Sequence, residues 1–148
     1  MLLTGSGANA LAFLCHGIFM GAQVVMVGNP TRLPKALTTK ALCVIDYKAP
    51  DLARQLELAF PHGIDHILDA IGFDENINLV LPLLNPNGQI GVYGCNGRTS
   101  YGIQPFQGKS SFHVYCRGYE EGETHDLVIQ RVRNGALKAQ IVGFSFLI

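Results

Sequence analysis

The chain lacks a block of like charge: eleven Lys and Arg balance eleven Asp and Glu over 148 residues. Without a basic face there is no electrostatic pull toward nucleic acid or an anionic membrane, and neither is expected as a partner. A CxxC pair is missing as well. Cys15, Cys43, Cys95 and Cys116 are scattered through apolar and loop stretches, which excludes a zinc-ribbon or disulfide framework and suits thiols in a reducing cytosol. The apolar run 11–20 has no Lys or Arg before it and is too short for a bilayer, so it is neither leader nor span. A cytoplasmic protein is expected. His16, His62, His66, His113 and His125 have no ligand spacing, so no metal site is expected within the chain. His16 and His66 read as satisfied interior imidazoles. Internal repeats and low-complexity tracts are absent too.

What is there is alternation. With 48% apolar and 15% charged residues the chain suffices for one domain over 1–148. Strand-like segments at 2–4, 23–27, 42–45, 64–70, 89–93 and 111–117 are separated by helical patterns at 8–20, 32–40, 50–60 and 74–81, with a last helix at 124–134. The helix at 8–20 is expected to be buried nearly all round. Thr31 is the expected cap of the helix at 32–40, Pro82 should shorten or kink the fourth, and 85–88 reads as a turn. Residues 96–110 read as loop, and the tail 141–148 is apolar and ambiguous. The pattern predicts an α/β fold, a doubly wound, mostly parallel six-stranded Rossmann sheet. Right-handed crossovers give the order 3-2-1-4-5-6, with a ligand crevice at the switch point.

The sharpest motif is Gly5-Ser6-Gly7-Ala8-Asn9-Ala10, a GxGxxA between the first strand and first helix. Gly5 permits a tight turn, Gly7 lets a pyrophosphate approach the backbone, and Ala10 lets helix and strand pack closely. Amides at the helix start then face the phosphates. An NAD enzyme usually places an acid at the end of strand two to hold the ribose hydroxyls. Here that place is Gly28, and no carboxylate appears before Asp46. Removing the acid relieves repulsion against a 2′-phosphate, and Asn29, Thr31 and Arg32 can donate hydrogen bonds to it, so NADP is expected over NAD. The missing acid also counts against an S-adenosylmethionine methyltransferase.

Ala70, Ile71 and Gly72 after strand four, and Gly94 and Cys95 after strand five, border the same crevice and are candidates for the nicotinamide end. Cys95 has no neighbouring base and is not read as a nucleophile. Tyr101 and Tyr115 do not belong to a Tyr-x-x-x-Lys arrangement, which weakens a short-chain dehydrogenase reading. No catalytic residue is assigned.

Taken in order, LLTGSGANALA, VVMVGNP, VIDYK, GIDHILDAIG and LLNPNGQIGVYG resemble the cofactor domain of the medium-chain alcohol dehydrogenase/reductase family, the zinc-type alcohol dehydrogenases and quinone reductases. The resemblance covers nearly the whole chain. It implies a division of labour in which another, barrel-like domain supplies catalytic zinc ligands or their zinc-free substitutes. This chain would supply the coenzyme site, and alone it is expected to bind nucleotide without turning over substrate. In NADP-using members a Gly ends strand two, Ser or Thr and Arg follow, and the Tyr of a VIDY-like stretch lies near the added phosphate. Gly28 and Tyr47 match; Asn29 and Pro30 do not match the Ser/Arg pair, leaving Arg32 as the candidate substitute. The stretch 38–42 also lacks the usual Leu-Gly-Ala. The resemblance implies an NADP(H)-dependent oxidoreductase interconverting alcohols and carbonyl compounds by hydride transfer, with zinc possible in a longer protein. Alternatives are a zinc-independent quinone reductase and a non-catalytic NAD(P)-sensing domain. Pairing of sixth strands across a two-fold axis would give a homodimer through the 111–117 edge.

Overall fold

A computed structural model describes residues 1–33, 40–94, 97, 100–116 and 121–135. The chain divides into two compact units, Met1–Arg117 and Gly118–Ile148. In the first unit, β1 (Leu2–Thr4), β2 (Val25–Gly28), β3 (Cys43–Asp46), β4 (Ile64–Asp69), β5 (Leu84–Val92) and β6 (Phe112–Tyr115) form one sheet in the order β3-β2-β1-β4-β5-β6. Every neighbouring pair runs parallel. The expected order and class are those observed. Because β2 and β3 lie on one side of β1 and β4 to β6 on the other, a crevice opens where the connections from β1 and β4 diverge.

Period-two alternation explains why the inner strands read as unbroken apolar runs. Leu2, Val25, Val27, Ile45, Ile67 and Ile90 point to one face with Leu56 of α2 (Leu52–Ala59) and Ile77 and Val80 of α3 (Asp74–Val80). Leu3, Val24 and Met26 point to the other, against Ala10, Leu11 and Leu14 of α1 (Ala8–Phe19). Strands covered on both faces have no solvent side to mark with polar residues. Each fully buried Leu or Ile contributes about 1.5–3 kcal/mol. This burial holds the strand ends in register and so fixes the loops above them.

Several local expectations need correction. Thr31 is not a helix cap, and Arg32 does not open a helix. The chain after β2 makes a single 3-10 turn over Pro30–Arg32 capped by Asn29, whose Oδ1 accepts from the Thr31 amide at 3.0 Å and the Thr31 hydroxyl at 2.8 Å. Asn is as good a cap as Thr, and Pro30 favours the first position of the turn. Residues 34–39 of the expected helix lie outside the described residues, as do Cys95, Asn96 and the tail 136–148.

Strand β5 begins at Leu84, not Gln89. The turn chemistry of Asn85-Pro86-Asn87-Gly88 appears as an irregularity inside the strand, where the pairing jumps from Ile64↔Leu84 to His66↔Gln89. Asn87 takes a left-handed φ of 60° there, its amide bonds the Ser111 carbonyl at 2.8 Å, and Asn85 Nδ2 bonds Asp65 Oδ1 at 2.8 Å. α1 buries one face only: Ala10, Leu11, Leu14 and Gly17 are covered, whereas His16 and Phe19 are exposed. His66 is exposed too. Neither is an interior imidazole: His16 lies on the uncovered face of α1, and His66 borders an open cleft at the amino ends of the strands.

The expectation for Pro82 holds: α3 stops at Val80 and one 3-10 turn, Leu81–Leu83, delivers the chain to β5. In the second unit α4 (Glu121–Arg133) ends at Gly135, φ +75°, whose amide bonds the Val132 carbonyl at 3.1 Å. Among the described residues no helix is long and apolar enough to cross a membrane.

Candidate cofactor-binding site

At the carboxyl ends of β1, β2 and β4 the first unit opens into a cleft of about 630 Å³, within the ~300–1,000 Å³ typical of small-molecule sites. Its floor is the β1–α1 turn. Gly5 has φ +116°, which favours glycine, and its amide bonds the Val27 carbonyl at 2.8 Å. A Cβ on it would lie 3.2 Å from Ala10 Cβ and 3.3 Å from Ile71 Cγ1. Ala10 is buried and keeps helix and turn close, whereas Ala8 and Asn9 are exposed.

Gly7 is different in kind. Its φ of −85° suits any residue, and a Cβ there would meet no atom of the described residues within 4 Å. Nothing among the described residues requires glycine at this position, and what a side chain would occupy is the space above the helix start. No side chain caps α1 and no acid stands in its first turn. The first amides of this twelve-residue helix are therefore left without side-chain acceptors, which is the arrangement that holds phosphate.

Gly5, Ser6 and Gly7 line the cleft together with Gly28, Asn29, Arg32 and Tyr47, and across it stand Ala70 and Ile71. Nine of the fifteen sequence-expected positions thus face one space. Gly28 has a steric reason as well as an electrostatic one: its Cβ would sit 2.7 Å from the Gly5 carbonyl oxygen and 3.2 Å from Ser6 Cβ. Tyr47 is tied to the same point, its amide bonding the Gly28 carbonyl at 3.1 Å. Thr31 does not line the cleft, and its hydroxyl hydrogen is donated to Asn29.

Gly72 and Gly94 do not line the cleft either. Gly72 has φ +91°, so it serves the turn after β4. A Cβ on Gly94 would fall 2.2 Å from the Ile71 carbonyl carbon, so this glycine lets the exit of β5 cross the backbone at 70–71. Both glycines shape the wall rather than offer a surface.

Sequence reasoning passed over Lys48, Phe73 and Asn76, which complete the lining. Lys48 follows Tyr47 in VIDYK, and its Nζ lies 5.5 Å from the Tyr47 ring centroid. The signal for it was a cation at the end of β3, beside the strand-two terminus. Asp69, the last residue of β4, was also passed over. It is fully buried and accepts from Thr4 Oγ1 at 2.5 Å, from the amides of Ile71 and Gly72 at 3.0 and 3.1 Å, and from the Tyr101 hydroxyl at 2.7 Å. Its signal was an acid closing an otherwise apolar strand; nothing local marked Tyr101.

No group of three or more His, Cys, Asp or Glu that could hold a metal is found among the described residues. These residues do not fit zinc. They do fit a dinucleotide: an open helix start for a diphosphate, and Arg32 and Lys48 beyond the end of β2.

Residues 7–132 match the family described as zinc-binding dehydrogenase. No curated protein matches the chain. Among solved structures, an alcohol dehydrogenase of Thermus sp. ATN1 superposes with a TM-score of 0.77 at 17% identity, over 93% of this chain and 42% of its own. A putative NADPH:quinone reductase of Bacillus thuringiensis gives 0.74 at 20% identity, over 95% and 46%. Benzyl alcohol dehydrogenase of Acinetobacter calcoaceticus gives 0.72 at 20%, over 91% and 40%. The chain spans less than half the length of each. The match over residues 7–132, which holds the glycine turn's second half and the whole opposite wall, places this chain in the zinc-binding dehydrogenase family.

Proposed function

We propose that the chain is the NADP(H)-binding part of an oxidoreductase that interconverts alcohols and carbonyl compounds. The observation that carries this reading is Gly7: a glycine that neither backbone nor neighbours require, at the uncapped start of α1, inside a cleft of dinucleotide size. Ser6, Gly7 and the first amides of α1 would hold the pyrophosphate. Arg32 and Lys48, with Tyr47, would meet the 2′-phosphate, where an acid would repel it. The Ala70–Ile71 wall would lie along the nicotinamide ribose. Bound nicotinamide supplies the hydride chemistry; this chain binds and orients it.

The substrate and any zinc would belong to residues outside this chain, and the protein would work in the cytoplasm. The exposed β6 edge, with Val114 and Tyr115 half open, suits pairing with a second copy into a homodimer. Gel filtration giving a strict monomer at high concentration would reject that pairing. The quinone reductase named among the structural neighbours keeps zinc-independent reduction as a second reading.

Titration of NADPH and NADH into the protein tests the reading. NADPH should bind tighter by about tenfold, the worth of one charge-assisted phosphate contact. Equal affinity, or preference for NADH, removes the 2′-phosphate assignment.

A further inference from the structure

We infer that Asp69 and Tyr101 are positioning residues of the nucleotide site, and that through them the segment 100–104 responds to nucleotide. This rests on the reading above. The observation is convergence: one buried carboxylate gathers donors from the end of β1, from the turn after β4 that carries the Ile71 wall, and from the segment at 100–104. Thr4 comes from the end of β1, directly before Gly5. The Ile71 and Gly72 amides belong to the turn after β4, whose Ile71 side chain faces Gly5 across the cleft floor. The Asp69 backbone carbonyl also accepts from the Tyr93 and Gly94 amides at 2.9 and 3.0 Å, fixing the exit of β5. Tyr101 supplies a further donor, from a segment 32 residues away in sequence.

A parallel sheet needs no carboxylate at this point, and burying one costs several kcal/mol unless its oxygens are satisfied. Here they are satisfied by the groups that aim the wall. The Ile71 and Gly72 amides turn inward to Asp69, so what a ligand meets at Ala70 and Ile71 is side chain and carbonyl. Segment 100–104 is anchored separately on α3. The Gly102 amide donates to Asp74 Oδ2 at 3.0 Å, Asn78 Nδ2 donates to the Gly102 carbonyl at 2.9 Å, and the Gln104 amide donates to Asn78 Oδ1 at 2.8 Å. Tyr101 is the link between that anchored segment and the carboxylate. Burial first, then its bond to Asp69 and the charges of Asp69, Asp74 and Glu75, push the phenol well above the usual tyrosine range, so it remains a donor through the working pH range.

Coupling of this kind is reciprocal: if nucleotide steadies the segment, loss of the hydroxyl weakens nucleotide binding by the same factor. The test uses the full chain, with NADPH affinity, melting temperature and amide hydrogen exchange measured on wild type and Tyr101→Phe. At a temperature where both are folded, Tyr101→Phe should bind NADPH about fivefold more weakly. NADPH should slow exchange of the Gly102 and Gln104 amides in wild type and leave it unchanged in the variant. Equal affinity in the two proteins, or equal slowing at Gly102 and Gln104, overturns the proposal.

Asp69→Asn, which keeps an acceptor for the two turn amides, is the second variant. Its Nδ2 can donate to the Tyr101 oxygen where the carboxylate accepted, so it should keep the slowing at Gly102 and Gln104 that Tyr101→Phe loses, and loss of that slowing in Asp69→Asn would also overturn the proposal. Should wild type bind neither NADPH nor NADH, the nucleotide reading falls by itself. The positioning role is then decided without ligand: Ile71 and Gly72 amides that exchange faster in Tyr101→Phe support it, and unchanged rates reject it.

Discussion

At the carboxyl ends of the strands a cleft of about 630 Å³ opens on Gly5, Ser6 and Gly7; at the amino ends another, of about 580 Å³, is bordered by Phe60, His62, Asp65 and His66. Their volumes do not tell them apart. The backbone does. At the carboxyl end the chain leaves β1 for α1 and presents amides; at the amino end α2 arrives with its last carbonyls, and Asp65 adds a carboxylate. The glycines differ in the same sense. A Cβ on Gly7 would stand in open space, whereas one on Gly63, φ +81°, would fall 1.9 Å from Asn85 Oδ1. One glycine leaves room for something outside the protein, and the other is required by the protein's own packing.

Substitution can separate the two ends. Gly7→Asp should have the largest effect, weakening nucleotide binding by about 100-fold or more, since a carboxylate would both fill the cradle and repel the diphosphate. The same change puts a good cap on α1, so the melting temperature should hold or rise, an N-cap being worth about 0.5–2 kcal/mol. Isothermal titration with a thermal melt reads both numbers, and a loss of binding accompanied by unfolding would undo the contrast. Arg32→Ala should weaken NADPH about tenfold and NADH much less. Equal losses for the two nucleotides would move Arg32 away from the 2′-phosphate.

Gly63→Ala should act in the opposite way to Gly7→Asp. Left-handed backbone and the Asn85 contact should cost about 1–2 kcal/mol, seen as a melting point several degrees lower with nucleotide affinity unchanged. Smallest of all, His62→Gln combined with His66→Gln should alter neither quantity, both imidazoles being exposed at the amino end. A tenfold change in NADPH affinity in that double variant would make the lower cleft the better candidate.

How much of this was legible in the sequence follows from where the determinants lie. Leu2-Leu3 and Val24 to Val27 announce strands because both of their faces are buried, and the glycine turn announces itself because it follows such a strand directly. Strand order then follows from handedness. The misreadings share another cause. Asn85 to Gly88 has turn chemistry, but pairing with β4 and the bond from Asn87 to Ser111 draw it into β5. His16 and His66 lie in apolar surroundings by sequence, yet His16 falls on the uncovered face of α1 and His66 at the open amino ends of the strands. Asp69 and Tyr101 meet across 32 residues, a tertiary contact that no local pattern encodes.

The proposed site stands or falls with the open amides at the start of α1 and their hold on a dinucleotide. Amide chemical shifts followed during NADPH titration report on those amides one by one. The largest perturbations should fall on Ser6, Gly7, Ala8 and Asn9, with Gly28 and Ile71 following and His62 and His66 unmoved. Shifts centred on His62 to His66, or saturating NADPH with no change at Ser6 to Asn9, would contradict it.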